Sequence, residues 1–231
     1  MPNVEAAKED LLLQSINGKI IKCSLCPRLT KYIWEVSRTK TKRYVNQPYW
    51  AKPVPSFGDA NAKLLIVGLA PAANGGNRTG RIFTGDSSGD WLVKALFETG
   101  FANKPISISK NDGLILKDVY LTASVRCAPP QNKPNAYEIL NCSQFLESEI
   151  KILEKTTKVI ITLGKIAFDA YCKVCSLKGL SFGHNKVYQM PNAKTLIASY
   201  HPSRRNTNTG TLTWYMWIKI FEIARSIINN K

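Results

Sequence analysis

Four short stretches of the chain are apolar almost without interruption, and each ends at or beside a glycine, a proline or a serine turn. They are AKLLIVGLAP (62–71), DVYLTASV (118–125), KVIITLG (158–164) and TLIASYHP (195–202). Runs of this length predict strands buried on both faces. Between and after them lie segments with helical spacing: SGDWLVKALFETG (88–100), PNAYEILNCSQFLESEIKILEK (134–155), KIAFDAYCKVC (165–175) and TLTWYMWIKIFEIARSIIN (211–229). The first stops at a glycine and the second has Asn135 as a possible cap. Strand and helix in alternation predict an α/β fold, a mainly parallel sheet with helices on both faces. Ligands of such sheets lie beyond the carboxyl ends of the strands.

The first strand passes to the first helix through VGLAPAANGGNRTGRIFTGDSSG, residues 67–89, with six glycines, two arginines and one phenylalanine. A glycine-rich loop between strand and helix brings backbone N–H groups close to an anionic or planar ligand. No lysine stands where a P-loop needs one, and Gly68 is followed by Leu69, Ala70 and Pro71 rather than by a dinucleotide fingerprint. The HPS that follows the fourth run is expected at the same sheet edge.

Length and charge then narrow the setting. The 231 residues fit a single domain spanning 1–231, with no low-complexity linker. The opening MPNVEAAKED lacks a secretory pattern and no apolar run reaches the roughly 20 residues of a membrane span, so an intracellular, cytoplasmic protein with no membrane partner is expected. Thirty-two Lys and Arg oppose sixteen Asp and Glu, a formal +16, with a concentration in RLTKYIWEVSRTKTKRY. Such an excess favours a polyanion, most simply nucleic acid; a solvated basic surface is the plainer alternative.

Six cysteines in an intracellular chain point away from disulfides. Cys23-x-x-Cys26 reads as a metal or iron–sulfur pair. Its completion is open on spacing alone: Cys172 with Cys175 would make a four-cysteine zinc site, yet that pair also suits a helix core, and Cys127 with Cys142 is the other choice.

Taken together, PVPSFGD, GLAPAA, GNRTGRIFTGD, RCAPPQNKP and HPSRRNTNTGTLT resemble the uracil-DNA glycosylase superfamily, specifically the type-b or family 5 enzymes, from about Cys23 to about Trp217. The resemblance implies a three-layer α/β/α sandwich around a four-stranded, mainly parallel sheet. It implies a [4Fe-4S] cluster on Cys23, Cys26, Cys127 and Cys142, which returns Cys172 and Cys175 to the core. It also implies a monomer acting on double- and single-stranded DNA, nucleoid-associated in a prokaryote, which flips out uracil or another damaged base and hydrolyses its N-glycosidic bond. The competing reading is a non-catalytic nucleic-acid-binding module stapled by iron–sulfur or zinc.

Roles follow from the same resemblance. His201 donates to the uracil O2 as charge grows on the departing base. Asp86 orients water or stabilises the oxocarbenium ion, or else caps the helix that follows it. Phe83 is the stacking platform, its alternative being a core phenylalanine. Gly68, Ala70, Asn74 and Ala123 surround the base, and Ser203, Arg204, Arg205 and Asn206 meet DNA. Arg78 and Arg81 bind phosphate or anchor the loop internally. Ala70 and Ala72 stand where other glycosylases place a water-activating polar group. Relatives carry His where this chain has Asn74, an asparagine where it has Ala123, and a leucine near Arg205. These departures imply loose base selectivity and an arginine in the place of the wedge.

Overall fold

The computed structural model describes residues 4–230; residues 1–3 and 231, at the ends of the expected 1–231 domain, lie outside the described residues. Two helices, α1 (Val4–Ile21) and α2 (Pro27–Arg38), precede a two-residue strand β1 (Phe57–Gly58) and strand β2 (Leu64–Gly68). Then come the one-turn α3 (Gly76–Thr79), α4 (Ser87–Glu98), β3 (Val119–Ala123), α5 (Ala136–Ile152), β4 (Val159–Leu163) and α6 (Lys165–Val174). Strands β5 (Lys186–Gln189) and β6 (Thr195–Ser199) and helices α7 (Arg204–Asn208) and α8 (Trp214–Asn229) complete the order.

The sheet runs β1-β3-β2-β4-β6-β5. Its centre, β3-β2-β4-β6, is parallel and made of the four apolar runs; β1 and β5 pair antiparallel at the edges. The expected four-stranded sheet is therefore corrected to six strands. The additions escaped the apolar pattern because β1 is only two residues long and three of the four β5 residues are exposed.

Each central strand is five residues long and wholly buried, which requires cover on both faces. Alternation divides β2 accordingly. Leu64 and Ile66 pack with Leu92, Leu96, Trp217 and Phe221 of α4 and α8, whereas Leu65 and Val67 pack with Leu146, Phe168 and Tyr171 of α5 and α6. The three layers expected from the resemblance follow from that division. Asn135 caps α5 by accepting from the Glu138 N–H at 2.9 Å, while the Glu138 carboxylate accepts from the Asn135 N–H at 2.8 Å. Losing such a cap costs about 0.5–2 kcal/mol.

From β2 the chain crosses to the α4 face and from neighbouring β4 to the α6 face. Adjacent strands that leave in opposite directions open a crevice at their carboxyl ends.

Candidate active-site cleft and cysteine cluster

That crevice is a cleft of about 750 Å³ whose walls come from the glycine-rich loop after β2, the start of α4 and the loop after β6. Ala70, Asn74, Phe83, Asp86, His201, Ser203, Arg204 and Arg205 all line it. Two distant sequence motifs thus share one cavity.

Phe83 is 8% exposed and belongs both to the core and to the cleft wall. Its φ of +50° is left-handed, a conformation that costs a bulky residue about 1 kcal/mol or more and persists only when its surroundings fix it. They do so on two sides. Gly89 in the first turn of α4 lies so close that an added Cβ would overlap the Phe83 carbonyl, and Gly68 lies so close beneath the ring that an added Cβ would stand 2.5 Å from Cζ. Gly68 therefore serves as the floor under the ring rather than as a cleft residue.

Asp86 caps α4: its Oδ1 accepts from the Ser88 N–H at 3.0 Å and the Gly89 N–H at 3.1 Å. The other oxygen, Oδ2, abuts Gly75, where any side chain would overlap it. Burial raises the Asp86 pKa, and the Gly89 and Ser88 amides oppose that rise. The residue is a cap and also an unpaired carboxylate in the cleft wall, with no ion pair among the described residues.

His201 follows β6, and its Cβ would lie 3.3 Å from a Cβ added at Gly164. Burial pushes its pKa down to about 4, so the ring is neutral at pH 7. Among the described residues the ring has no hydrogen-bond partner. Its backbone is fixed instead: the His201 carbonyl accepts from the Asn206 Nδ2 at 2.9 Å and from the Ser203 N–H at 2.8 Å. Asn206 thus holds the loop with its amide, and Ser203 caps α7 by accepting from the Asn206 N–H at 3.3 Å. Arg204 and Arg205 are exposed at the mouth, where Arg204 donates to the Ser87 hydroxyl at 3.2 Å.

The two loop arginines are anchors. Arg81 is 5% exposed, ion-paired with Asp112 at 2.7 Å and bonded to Ser107 and Thr84. Burial alone would raise the Asp112 pKa, but Arg81 and three backbone N–H groups hold it well below the usual carboxylate range. Arg78 donates to the carbonyls of Asn74 and Gly85 and to Gln47, and stacks on Tyr44 at 4.2 Å. Of the two uses open to them, these contacts describe the internal one; neither lines the cleft. Ala123 also falls outside the wall, fully buried at the end of β3 beside Gly68. Asn74 does line it, its Oδ1 accepting from the Tyr49 hydroxyl at 2.7 Å.

The cleft also takes residues to which the motifs had assigned no role: Arg43 and Tyr44 from the basic run, Ser87 and Ser88 beside the cap, and Asn132. Asn132 has a left-handed φ of +56° within the QNKP turn. The basic run was legible as charge, not as part of a wall.

Behind the loop, Cys26, Cys127 and Cys142 are buried together with Leu29, Ile33 and Val125, and Ala70 and Ala73 of the loop pack on them. Cys23 lies within electrostatic reach of all three. Burial raises the Cys127 pKa strongly, and the other three thiols add to it. Burial likewise pushes Cys142 to about 11, while the Arg126 amide and guanidinium pull it down. Asn141 Nδ2 donates to the Cys26 sulfur at 3.6 Å. Four soft donors gathered with N–H groups directed at the sulfurs have the chemistry of an iron–sulfur ligand set. Among the described residues no group of three or more His, Cys, Asp or Glu is placed to hold a metal ion. Cys172 and Cys175 stand apart, packed on the α6 face with Phe168 and Tyr171. No described helix is long and apolar enough to cross a membrane.

The family model described as the uracil DNA glycosylase superfamily matches residues 55–222. A type-5 uracil-DNA glycosylase of Pyrobaculum aerophilum is 45% identical over 196 residues, 85% of this chain and 84% of the relative. One of Thermus thermophilus is 45% identical over 207 residues (89% and 93%), and one of Mycobacterium leprae is 42% identical over 218 (93% and 95%). With that match and these relatives, on a fold that brings the two motifs into one cleft, the chain belongs to the uracil DNA glycosylase superfamily.

Proposed function

We infer that the protein excises uracil from DNA by hydrolysing the N-glycosidic bond of a flipped nucleotide and leaves an abasic site. The observation that carries this reading is that an unpartnered, neutral His201 and a half-buried, unpaired Asp86 line one cleft together with Phe83. Breaking the bond places positive charge on the sugar and negative charge on the base. A neutral imidazole N–H can donate to the base oxygen as its charge grows, and a carboxylate can stabilise the sugar cation or orient water. Phe83 offers the base a flat face, and flipping is the only way a duplex base reaches such a pocket. A binding module would have no use for this pair. The test is incubation with a uracil-containing duplex: alkali-labile abasic sites are expected, with no base released from free deoxyuridine monophosphate. Intact strands after long incubation would refute the reading.

Base selectivity is expected to be loose. Ala123 brings no amide to the pocket, and the Asn74 oxygen is occupied by Tyr49. Hypoxanthine and oxidised or alkylated bases join uracil as proposed substrates.

Cys23, Cys26, Cys127 and Cys142 are the proposed ligands of a [4Fe-4S] cluster. When bound it would supply a covalent cross-link between the start of α2, the loop after β3 and α5, against which the alanines of the glycine-rich loop rest. Anaerobically purified protein should be brown. Cys127→Ser should bleach it and Cys172→Ser should not; a colourless protein with one zinc would end the assignment.

DNA of either strandedness is the proposed partner of the +16 chain, acting as a monomer in the cytoplasm at the nucleoid of a prokaryote. Arg204 and Arg205 are its proposed phosphate and wedge contacts, and Ser203 lies beside them. Affinity should fall steeply with salt: with about four phosphates neutralised, roughly a hundredfold is lost between ~50 and ~200 mM. A flat response would remove the surface from DNA binding.

A further inference from the structure

We propose that the segment from α2 through residue 52 is a second nucleic-acid surface, built to hold single-stranded DNA beside the cleft by stacking on Trp34 and by phosphate contacts from its cations. The segment carries Arg28, Lys31, Arg38, Lys40, Lys42, Arg43 and Lys52 against one acid, Glu35. Arg28 is consumed by Glu138 at 2.7 Å, and Lys31 faces Glu35 at 3.8 Å. Arg38, Lys40, Lys42 and Lys52 enter no ion pair among the described residues. All of this lies outside the 55–222 match, so the surface is not part of what the family model describes.

Aromatic groups alternate with those cations. Trp34 is 53% exposed, with the Arg38 guanidinium 4.7 Å from its ring centroid. Lys40 lies 5.8 Å from the Tyr49 ring, and Lys52 is 5.7 Å from that of Trp50. An exposed indole on a helix is an unfavourable way to end a core, and here the core side of α2 is already supplied by Leu29 and Ile33. A flat ring with cations around it matches an unpaired base with its phosphates; paired bases in a duplex offer no free face.

The surface is tied to the cleft. Trp50 and Ala51 donate their N–H groups to the carbonyls of Arg78 and Asn77, and Tyr49 donates to Asn74. Asn77 in turn donates to the Ile33 carbonyl of α2 at 3.3 Å. Arg43 and Tyr44, in the same segment, already form part of the cleft wall. A strand leaving the cleft over Tyr44 would reach Lys42, Lys40 and then the end of α2. The inference takes its direction of travel from the glycosylase reading, but binding itself can be measured without excision.

The probe is a fluorescently labelled, lesion-free oligothymidylate, with a lesion-free duplex as the comparison. Trp34→Ala should weaken single-strand binding about tenfold and duplex binding by less than about twofold, since a single base–aromatic stack is lost. Trp34→Phe should recover most of the loss. Lys42→Ala should reduce the slope of log affinity against log salt by roughly 0.7, whereas Trp34→Ala leaves that slope unchanged. Unchanged oligothymidylate affinity in Trp34→Ala, or equal losses on single strand and duplex, would overturn the proposal. Retained, Trp34-dependent oligothymidylate binding without abasic sites would instead remove the glycosylase reading and leave this surface standing.

Discussion

His201→Ala is expected to slow single-turnover excision of uracil by about a hundredfold or more, the size of effect found on removing a donor to a developing oxyanion. Affinity for the abasic product should survive, because the contact proposed for His201 is to the base that has departed. The ring is suited to the proposed task by being uncharged: burial pushes its pKa down to about 4, so it is a neutral imidazole throughout the physiological range. No loss of rate is therefore expected from its protonation between pH 8 and about 5. Stability is affected in a defined window. Between the ordinary value of 6.5 and about 4 the unfolded chain binds a proton that the folded one does not. Stability contributed by the neutral ring is thus complete above 6.5 and is lost as pH falls through about 4. His201→Ala should flatten that decline in a thermal melt. A variant with wild-type excision would take His201 out of the chemistry.

Asp86→Asn is expected to lose about a hundredfold to ten-thousandfold in excision rate with a melting temperature that does not fall. The amide oxygen can still accept from Ser88 and Gly89, and asparagine is as good a cap as aspartate, so α4 keeps its start. Only the charge is removed. Burial raises the Asp86 pKa, which also means that its ionised form costs stability as pH rises; asparagine removes that cost. A normal rate would leave Asp86 as a cap alone and make the enzyme depend on base departure. A lowered melting temperature together with a lowered rate would show the cap, not the charge, to be at stake.

The chain's pattern was most readable where burial was complete. All four central strands and the helices α4, α5, α6 and α8 correspond to apolar runs or helical spacings, because five fully buried residues leave little room for polar ones. Helices α1 and α2 do not stand out in the sequence: α2 begins at the cysteine pair and runs into the basic stretch, so its residues signal metal and charge before they signal a helix. Arg81 shows the other limit. An arginine in a glycine loop looks the same whether it meets phosphate or Asp112, and its partner lies 31 residues away. Asp86 was legible as cap and as acid at once; the geometry shows the cap on Oδ1 and leaves Oδ2 against Gly75.

The contact between Gly68 and the Phe83 ring constrains how this pocket can be remodelled. With an added Cβ standing 2.5 Å from Cζ, position 68 cannot take a side chain while Phe83 keeps its place. Any side chain at 68 tilts the ring and shrinks the space for a base, whereas trimming Phe83 to leucine deepens the pocket without disturbing β2. Natural or laboratory diversification toward bulkier lesions is thereby channelled to position 83 and the rim, and a purine-accepting variant should be sought there before the strand is touched.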